Sequence, residues 1–377
     1  MFILRMIIFV VIMITEKDFI IIGAGQAGLA MAYYLSKQQK DYLIVDANNE
    51  IGAPWLKRWD SLKLFTPSEF NHLPGMDFPH KKGHYASKYE VAAYLKSYVN
   101  HFKIPIDFHQ KVSNLEKIED YFVLKSTTKT YRAKQVVVAT GPFHTPFTPS
   151  CHTKISESIV QIHSEHYKSP NQLQEGDALV VGAGDSGVQI LEEIANTKRQ
   201  VYFSGNTNVS SIPQELLGKT LWWWFKKIGF LSVSKHTVIG KKISKGMQPI
   251  IGTDVKSLFR KSNVTCVGRT LDATIDEVIF ETKSIKTIKN IVWATGFKPN
   301  FEWISNVVLD KDNYPKNYRG VSAIKGLYYL GLPWLHTRGS ATLGGVKKDA
   351  KYLNDYMLKA ENRENKALKI DLKKQMT

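Results

Sequence analysis

The chain has 377 residues, of which 43% are hydrophobic and 11% aromatic, and its formal net charge is +17. The length predicts two domains, and the composition excludes a disordered or low-complexity chain. Two cysteines without a C-x-x-C pair argue against a dithiol relay and fit a reducing, cytoplasmic compartment. No RNA-binding or helix-turn-helix motif accompanies the positive charge, which excludes nucleic acid as the partner.

The N-terminus carries an apolar run over residues 6–14, preceded by Arg5. The run is shorter than the roughly 20 residues that span a bilayer. A secretory signal peptide is the alternative, but no small-residue cleavage site follows before Lys17. A start at Met13 would give a normal beginning for the motif that follows. We therefore expect residues 1–12 to be an over-extension of the start site.

A glycine-rich loop follows the first predicted strand, residues 19–22, and precedes a predicted helix at 29–35. Gly23, Gly25 and Gly28 fit the pattern G-x-G-x-x-G. The first glycine permits a tight turn, the second lets backbone N–H groups approach a pyrophosphate, and the third lets helix and strand pack closely. The strand before and the helix after are the context that this motif requires, so the loop predicts a dinucleotide site.

The next strand, residues 42–45, ends in Asp46. A carboxylate at this place accepts hydrogen bonds from ribose hydroxyls, as in FAD or NAD sites. Residues 108–125 alternate in a way that predicts a small antiparallel sheet. The unit closes with the apolar strand VVVATG at residues 136–141.

The same pattern then occurs a second time. Residues 178–181 form an apolar strand, a second G-x-G-x-x-G follows with Gly182, Gly184 and Gly187, and residues 291–296 read IVWATG. The glycine loops are 159 residues apart and the ATG strands 155. This repeat predicts two doubly wound units of similar size that bind two dinucleotides.

The second dinucleotide is predicted from the end of the strand at residues 201–203. Ser204 and the following Gly-Asn-Thr place no carboxylate there, so a ribose 2′-phosphate would not be repelled. This favours NADP over NAD. Lys198 and Arg199 lie just before the strand rather than at its end.

Residues 219–230, KTLWWWFKKIGF, combine aromatic and basic side chains. One interpretation is an amphipathic helix in contact with a membrane surface. The other, which we prefer, is a lid over an apolar substrate pocket between the domains. The pair His163-x-x-His166 lacks a cysteine or carboxylate set, so we predict no metal site.

Together these motifs resemble the flavin-containing monooxygenase-like branch of the flavoproteins with two dinucleotide-binding domains. The resemblance extends from about residue 17 to 356 and is also carried by IGAPWLKRWDSLKLFTP at 51–67, QIHSEHY at 161–167 and GLPWLHTRGSATLGGV at 331–346. Glu157 and Ile159 occupy places where the full family fingerprint has Phe and Gly.

The resemblance implies an α/β fold of two Rossmann-like domains, each with a small antiparallel sheet, in which the NADP domain is inserted into the FAD domain. The expected division is 17–165 and 299–360 for the FAD domain, 166–298 for the NAD(P)H domain, and 361–377 as a polar tail. It also implies that residues 55–66 line the flavin and that the loop 339–345 lies near its ring.

The residues predicted to bind FAD and NADPH are Gly23, Gly25, Gln26, Ala27, Gly28, Asp46, Trp55, Thr66, Val112, Ala139, Thr140, Gly141, Gly182, Gly184, Asp185, Ser186, Gly187, Ser204, Thr295, Gly296, Gly331 and Leu343. We expect no acid–base pair for catalysis. His72, Tyr85, His336 and Arg338 are candidates for the substrate pocket. Arg338 could stabilise an anion beside the flavin or form a structural ion pair.

By the same resemblance, NADPH reduces FAD, and a C4a-(hydro)peroxyflavin formed with O₂ oxygenates a small soft nucleophile or a ketone. One alternative is an NAD(P)H-dependent reductase of a quinone, a metal ion or a protein. A redox-sensing binding protein without catalytic activity is a third. The oligomeric state is open, with a homodimer as one alternative, and so is peripheral membrane contact through residues 219–230.

Overall fold

The computed structural model describes residues 14–246 and 248–375, with side chains as far as Arg363. Residues 1–12, the expected over-extension, and the expected start at Met13 lie outside the described residues. The helices are α1 (Gln26–Lys37), α2 (Ala53–Leu56), α3 (Lys88–Phe102), α4 (Asp185–Ala195), α5 (Leu221–Lys227), α6 (Val238–Lys245), α7 (Val255–Phe259) and α8 (Val346–Gln375). Short 3₁₀ turns lie at Ser68–Phe70, Ser150–Lys154, Pro170–Gln172, Phe230–Ser232 and Arg338–Ala341.

The strands in chain order are β1 (Ile14–Ile22), β2 (Tyr42–Val45), β3 (Lys63–Pro67), β4 (Tyr85–Ser87), β5 (Ile106–Asp107), β6 (Asn114–Ile118), β7 (Tyr121–Lys125), β8 (Thr130–Val138), β9 (Thr145–Pro146), β10 (Val160–His163), β11 (Asp177–Val181), β12 (Val201–Ser204), β13 (Ser211–Ile212), β14 (Glu215–Leu216), β15 (Lys219–Thr220), β16 (Ile250–Ile251), β17 (Val264–Cys266), β18 (Thr270–Ala273), β19 (Val278–Phe280), β20 (Ser284–Ile285), β21 (Ile288–Trp293), β22 (Phe297–Lys298) and β23 (Leu327–Tyr329).

The first sheet has the order β5-β2-β1-β8-β7-β6, and β23 also pairs with β8. The first half of β8 is antiparallel to β7, whereas its second half is parallel to β23, with Val136 opposite Leu327. The carboxyl-terminal part of β1, residues 19–22, is buried because its residues are apolar on both faces, as expected for a parallel strand covered on both sides. Helix α1 packs against α8 and α3 beside this sheet.

The second sheet is parallel throughout and has the order β10-β21-β11-β12-β17. Alternate residues of β11 enter two different cores, Ala178 and Val180 on one face and Leu179 and Val181 on the other. A three-stranded antiparallel sheet, β18-β19-β20, accompanies it. The predicted fold of two doubly wound units, each with a small antiparallel sheet, is confirmed.

The chain passes between the two units at β9 and β22, which pair antiparallel with each other. After β22 the chain returns to the first sheet through β23. Sequence patterns do not indicate that β10, which precedes the expected boundary at residue 166, pairs with β21 of the second sheet. The reason is that this pairing joins residues far apart in sequence, which local patterns do not reveal. Helix α8 continues through the expected polar tail as far as Gln375.

Candidate functional site

Both glycine loops have the same backbone geometry. The first glycine of each has a positive φ, +107° at Gly23 and +122° at Gly182, which side chains other than hydrogen disfavour. A Cβ atom on Gly28 or Gly187 would lie 1.9 Å from the carbonyl oxygen of the first glycine in its own loop. The third position of each motif therefore has no room for a side chain.

The second glycine of each loop faces open space and begins a helix. No described atom lies within 4 Å of a Cβ built on Gly25 or Gly184. Within the described residues no side chain caps the start of α1 or α4. The N–H groups of the first turns, which include Gln26 in α1 and Asp185 and Ser186 in α4, are therefore free to receive a phosphate at the positive end of each helix dipole.

Asp46 lies directly beside the first loop, at the end of β2. Its carboxylate accepts hydrogen bonds from the N–H groups of Ala24 at 2.6 Å and Asn48 at 2.7 Å. Its backbone carbonyl accepts one from Gln110 at 2.8 Å, which brings the half-buried Val112 to the same edge of the sheet. Asp46 is thus held at the carboxyl ends of the strands, where a ribose bound by the loop would lie.

The two ATG segments support the two loops in the same way. Ala139 N–H donates to the carbonyl of Ile22 at 2.8 Å, and Ala294 N–H donates to the carbonyl of Val181 at 2.8 Å. A Cβ atom on Gly23 would lie 2.7 Å from the oxygen of Ala139. Each loop is therefore enclosed by the ATG segment of its own unit.

The residues that follow these alanines turn toward the domain crossing. Gly141 and Gly296 have φ values of +73° and +80°. The hydroxyl of Thr140 lies 3.1 Å from the Nε2 atom of His144, and the hydroxyl of Thr295 donates to the carbonyl of Phe147. Both threonines are thus committed to local bonds, and the glycines leave the backbone accessible.

Ser204 is placed beneath the second loop rather than toward open space. Its hydroxyl bonds to that of Thr270 at 2.7 Å, and its carbonyl accepts the N–H of Gly182 at 2.8 Å. Arg199 donates to the carbonyls of Gln174 and Gly176, at the amino end of the second sheet. The backbone of Ser204 thus supports the second loop. Arg199 lies at the amino end of the strand, opposite the end where a phosphate bound by the loop would lie.

The turn Arg338–Ala341 lies between the two loops. The Nε2 atom of Gln26 donates to the carbonyl of Ala341 at 3.3 Å. Burial lowers the pKa of Arg338, and the nearby carboxylate of Asp185, in the second loop, opposes this shift. One short turn is therefore in contact with the first loop and electrostatically coupled to the second.

The segment that carries this turn packs tightly against the first unit. A Cβ atom on Gly331 would lie 2.7 Å from that of Ala27, and one on Gly344 would lie 1.8 Å from the carbonyl oxygen of Phe70. Leu343 is buried in the first core. This packing brings the predicted residues 331 and 343 close to the first loop and fixes the position of Arg338.

Two lysines hold the segment that begins with α2. Lys88 is almost fully buried and donates to the carbonyls of Leu56 and Arg58, at 3.2 and 2.6 Å, and to Asp60 at 2.7 Å. Lys168 donates to the carbonyls of Leu56 and Lys57, at 3.2 and 2.6 Å, from the second unit. These cations stabilise the carboxyl end of the helix that carries Trp55.

Thr66 lies at the other end of the predicted flavin-lining segment. It is buried, and its hydroxyl and carbonyl are both bonded to the side chain of Asn71. The pair fixes the strand β3 against the loop that Gly344 contacts. Thr66 therefore positions the backbone of this segment.

Replacing Lys88 by Met is expected to destabilise the protein by about 3 kcal/mol, because the carbonyl of Arg58 and the carboxylate of Asp60 lose their shortest bonds, and the carbonyl of Leu56 is left to Lys168. The melting temperature should fall by about 5 °C in a thermal unfolding experiment. Asp60→Asn is the matched control, since its side chain is 52% exposed and an exposed pair contributes little. An equal fall in melting temperature in both variants would contradict the role of Lys88 in holding the backbone carbonyls.

The comparison with protein families is decisive for identity. A profile described as pyridine nucleotide-disulphide oxidoreductase matches residues 20–219, which include both glycine loops. The chain belongs to this family. As a pyridine nucleotide-disulphide oxidoreductase family member, it is an oxidoreductase enzyme.

Relatives narrow this assignment. The chain is 43% identical over 342 residues, 90% of this chain and 98% of the relative, to an uncharacterized CzcO-like oxidoreductase of Geobacillus kaustophilus. It is 27% identical, over 86% of each chain, to the probable indole-3-pyruvate monooxygenase YUCCA1 of Arabidopsis thaliana. The flavin-containing monooxygenase from Stenotrophomonas maltophilia has a similar fold, with a TM-score of 0.76, 22% identity and coverage of 92% and 99% of the two chains. The predicted membership of the flavin-containing monooxygenase-like branch is confirmed.

The disulphide chemistry in the family's description needs two thiols close together. Cys151 packs in the core on one face of the second sheet, and Cys266 packs against the core on the other face. Burial raises the pKa of both thiols. The two cysteines of this family member therefore lie on opposite faces of the sheet and do not form an adjacent pair.

The four candidates for the substrate pocket are spread over different places. His72 lines a cavity of about 440 Å³ with Tyr33 and Lys347, away from both loops. The hydroxyl of Tyr85 donates to the carbonyl of Gln214 at 3.4 Å, and the Nδ1 atom of His336 lies 3.3 Å from the hydroxyl of Ser234. Tyr85 and His336 thus contact the second unit, and of the four only Arg338 has an interaction with a loop residue among the described contacts.

A further cavity of about 290 Å³ lies between the units. It is lined by the second half of α4, including Glu192 and Glu193, and by residues 59–65 of the first unit. The hydroxyl of Tyr167 donates to Glu193, and that of Thr253 donates to Glu192. With two carboxylates in its wall, this cavity is not the apolar pocket that the sequence analysis expected at the domain junction.

Sequence reasoning missed the cation at the domain crossing. The guanidinium of Arg58 lies over the rings of Phe143 and Phe297, at 5.0 and 5.4 Å from their centroids. His163 contacts the edge of Phe297 and bonds through Nε2 to the carbonyl of Gly296 at 3.1 Å. Burial lowers the pKa of His163, which is a satisfied histidine at the crossing.

Among the described residues, His80, His84 and Glu90 lie close enough together to hold a metal ion. Glu90 already has a structural role, because its carboxylate accepts the N–H of Ser87 at 2.6 Å in the capping box of α3. The Nε2 atoms of His84 and His80 lie 2.9 and 3.3 Å from its other oxygen. The cap and these bonds account for the cluster without a metal.

Arg269 is a second cation that sequence reasoning missed. The residue before it, Gly268, accepts through its carbonyl the N–H of Gly205, which follows β12. The side chain of Arg269 is exposed. The order β11-β12-β17 brings this residue to the end of β12, and only knowledge of that order could have revealed it.

Proposed function

We propose that the protein is an FAD-dependent oxidoreductase that takes its electrons from NADPH and acts as a monooxygenase on a small soft nucleophile or a ketone, with O₂ as co-substrate. The observation that carries this proposal is the position of the turn Arg338–Ala341. It contacts Gln26 of the first loop, and its Arg338 is coupled to Asp185 of the second. Two dinucleotides bound by these loops would approach each other at this turn.

The residues present fit both cofactors. The first loop, with Gly25 open and Asp46 at the ribose position, suits FAD. The second loop, with Gly184 open, suits the pyrophosphate of NADPH. A bound flavin would supply hydride acceptance and reactivity toward O₂.

Preference for NADPH is supported by charge at the end of β12. No carboxylate follows Ser204 there, and the exposed Arg269 lies beside Gly205 through the bond to Gly268. An arginine suits a 2′-phosphate because its planar fork binds phosphate oxygens in pairs. Arg269 would therefore bind the 2′-phosphate. Arg199 would not, because it is bonded at the opposite end of the strand.

The protein's own part in the reaction is positioning and electrostatics. Arg338 is half-buried, and a guanidinium remains charged there, so it can stabilise negative charge that develops between the loops. The tight packing of Gly344 against Phe70 and the buried pair of Thr66 and Asn71 exclude water from the adjacent backbone. Oxygenation of a nucleophile needs no acid–base pair, in agreement with the residues around the turn.

We place the first crossing between the units at β9 and the second at β22, with the FAD unit on both sides of the inserted NADPH unit. The bond network of Lys168 and the pairing of β9 with β22 support this division. The small number of cysteines supports a cytoplasmic location.

The test is to reduce the FAD-loaded protein with NADPH without oxygen and then mix it with oxygenated buffer in a stopped-flow spectrometer, without substrate. The expected result for a monooxygenase is a delay of seconds or longer before oxidised-flavin absorbance returns, with little early H₂O₂. Immediate reoxidation with stoichiometric H₂O₂, or no reaction with O₂, would contradict the proposal and indicate a reductase of a quinone, a metal ion or a protein.

A further inference from the structure

Helix α5 has an inner face that contacts the first unit. Leu221 and Trp222 are buried, and the indole N–H of Trp222 donates to the carbonyl of Phe65 at 3.0 Å. The ring of Trp222 stacks on that of Phe65 and also contacts Phe70. Through this inner face α5 makes the contact with the first unit that a lid requires.

The outer side of the same segment is different. We call it the basic apolar face, and it comprises Leu216, Leu217, Lys219, Trp223, Trp224, Lys226, Lys227 and Ile228. Leu217, at the tip of the β14–β15 hairpin, is 82% exposed, and Ile228 is 70% exposed. Leu216, next to Leu217 in the chain, is also exposed, and contiguous exposed aliphatic side chains on a folded domain indicate a contact surface.

Contacts within the basic apolar face hold its parts together. The indole N–H of Trp224 donates to the carbonyl of Leu216 at 2.9 Å, which fixes the hairpin against α5. The ammonium groups of Lys219 and Lys227 both lie over the ring of Trp223, at 6.0 and 5.6 Å from its centroid. The hairpin tip and the helix thus present aromatic, aliphatic and cationic groups as one surface.

The positive charge of the basic apolar face and the residues that follow it is not balanced by acidic side chains. Residues 216–246 contain seven lysines and no Asp or Glu. All but Lys235 are exposed, and none of the exposed ones forms an ion pair with another described residue. Helix α6 repeats the composition, with Val238 and Ile239 exposed by 86% and 66% and three of these lysines.

We propose that the basic apolar face docks the protein peripherally on an anionic lipid bilayer, with Leu217 and Ile228 in the interface and the lysines on lipid phosphates. Lysines beside exposed aliphatic and tryptophan side chains match the two layers of such a surface, anionic headgroups above hydrocarbon. Within the described residues no helix is long and apolar enough to cross a membrane.

Other occupants fit less well. A second copy of the chain, related by a two-fold axis, would bring lysines against lysines, which is unfavourable. Single-stranded nucleic acid stacks on aromatic rings, whereas the most exposed residues here, Leu217, Ile228 and Val238, are aliphatic. The bilayer is the partner that uses both the charge and the aliphatic side chains.

The test is co-sedimentation of the FAD-loaded full chain with vesicles of phosphatidylcholine alone or with 30 mol% phosphatidylglycerol, at about 0.1 M salt. We expect at least about tenfold stronger binding to the anionic vesicles, and weaker binding at about 0.5 M salt, because each lysine is screened. Equal binding to both vesicles, or binding to neither, would overturn the proposal.

Two variants separate charge from apolar contact. Lys226→Glu with Lys227→Glu should reduce binding at least about tenfold, since the charge of the face falls by four. Leu217→Asn should reduce it several-fold without loss of stability, because Leu217 has a φ of +51°, which Asn tolerates better. Lys283→Glu with Lys289→Glu makes the same charge change at exposed lysines outside residues 216–246 and should leave binding within about twofold.

Flavin content and the melting temperature establish that each variant is folded. Loss of binding in the Lys283/Lys289 control as great as in the Lys226/Lys227 variant would reduce the effect to net charge and overturn the proposal. A dimer that forms without lipid and is absent in the Lys226/Lys227 variant would also overturn the proposal, because it would assign the face to a second copy of the chain. Binding of a single-stranded oligonucleotide that the same variant abolishes would assign it to nucleic acid instead.

Discussion

Replacing Gly184 by Asp is expected to abolish reduction of the flavin by NADPH while FAD stays bound. The structure offers open space at this position, so the new side chain does not disturb the fold. Its carboxylate would instead lie at the start of α4, where the pyrophosphate of NADPH is expected, and like charges in contact cost several kcal/mol. The rate of flavin reduction at fixed NADPH, measured anaerobically, should fall by about 100-fold or more.

Gly25→Asp is the matched variant in the first loop, because Gly25 faces open space in the same way. It should produce folded protein that has lost FAD, as measured by the flavin absorbance of the purified protein. If Gly184→Asp lost FAD and Gly25→Asp retained it, the assignment of the two loops to the two cofactors would be wrong.

Replacing Gly187 by Ala is expected to destabilise the second unit by about 3 kcal/mol, at the upper end of the usual cost of overpacking. The reason is that the new methyl group would lie 1.9 Å from the carbonyl oxygen of Gly182, which is backbone and cannot move without opening the turn. Urea unfolding followed by circular dichroism should show the loss. Gly184→Ala provides the control, since its methyl group meets open space and should change stability by less than about 1 kcal/mol.

The contrast between Gly187→Ala and Gly184→Ala tests whether the turn requires glycine at its third position. Comparable stability of both variants would mean that the loop relaxes easily, and the close contact of the third glycine with the turn would then not explain its presence. Destabilisation by Gly184→Ala alone would mean that the open side of the loop is not where the structure places it.

Local patterns in the sequence were enough to predict the glycine loops, the strands that precede them and the position of Asp46. Each depends on residues close together in the chain, since a tight turn between a strand and a helix needs glycine at fixed spacings. The two-unit fold followed from the repetition of these local patterns. The place of β10 in the second sheet could not be predicted in this way, because it depends on pairing with β21, which is far away in the sequence.

The parts of the site that were not predicted depend on strand order and on contacts between the units. Arg338 was identified as a pocket candidate, but its coupling to Asp185 requires the returning chain to lie between the loops. Arg269 reaches the end of β12 only because β17 is its neighbour. No local pattern distinguishes Lys88 and Lys168, because only the fold brings both to the same carbonyl oxygen, that of Leu56.

The pairing of β9 with β22 has a consequence for how such a chain can be rearranged. Phe297 lies opposite Pro146 and Lys298 opposite Thr145, so the inserted unit leaves the first unit and returns to it at one spot. Joining residue 145 to residue 298 through a short turn would bridge a gap only one strand spacing wide. The chain thus enters and leaves the inserted unit at neighbouring positions. Recombination could therefore exchange the nicotinamide unit while the chain path of the flavin unit stays intact.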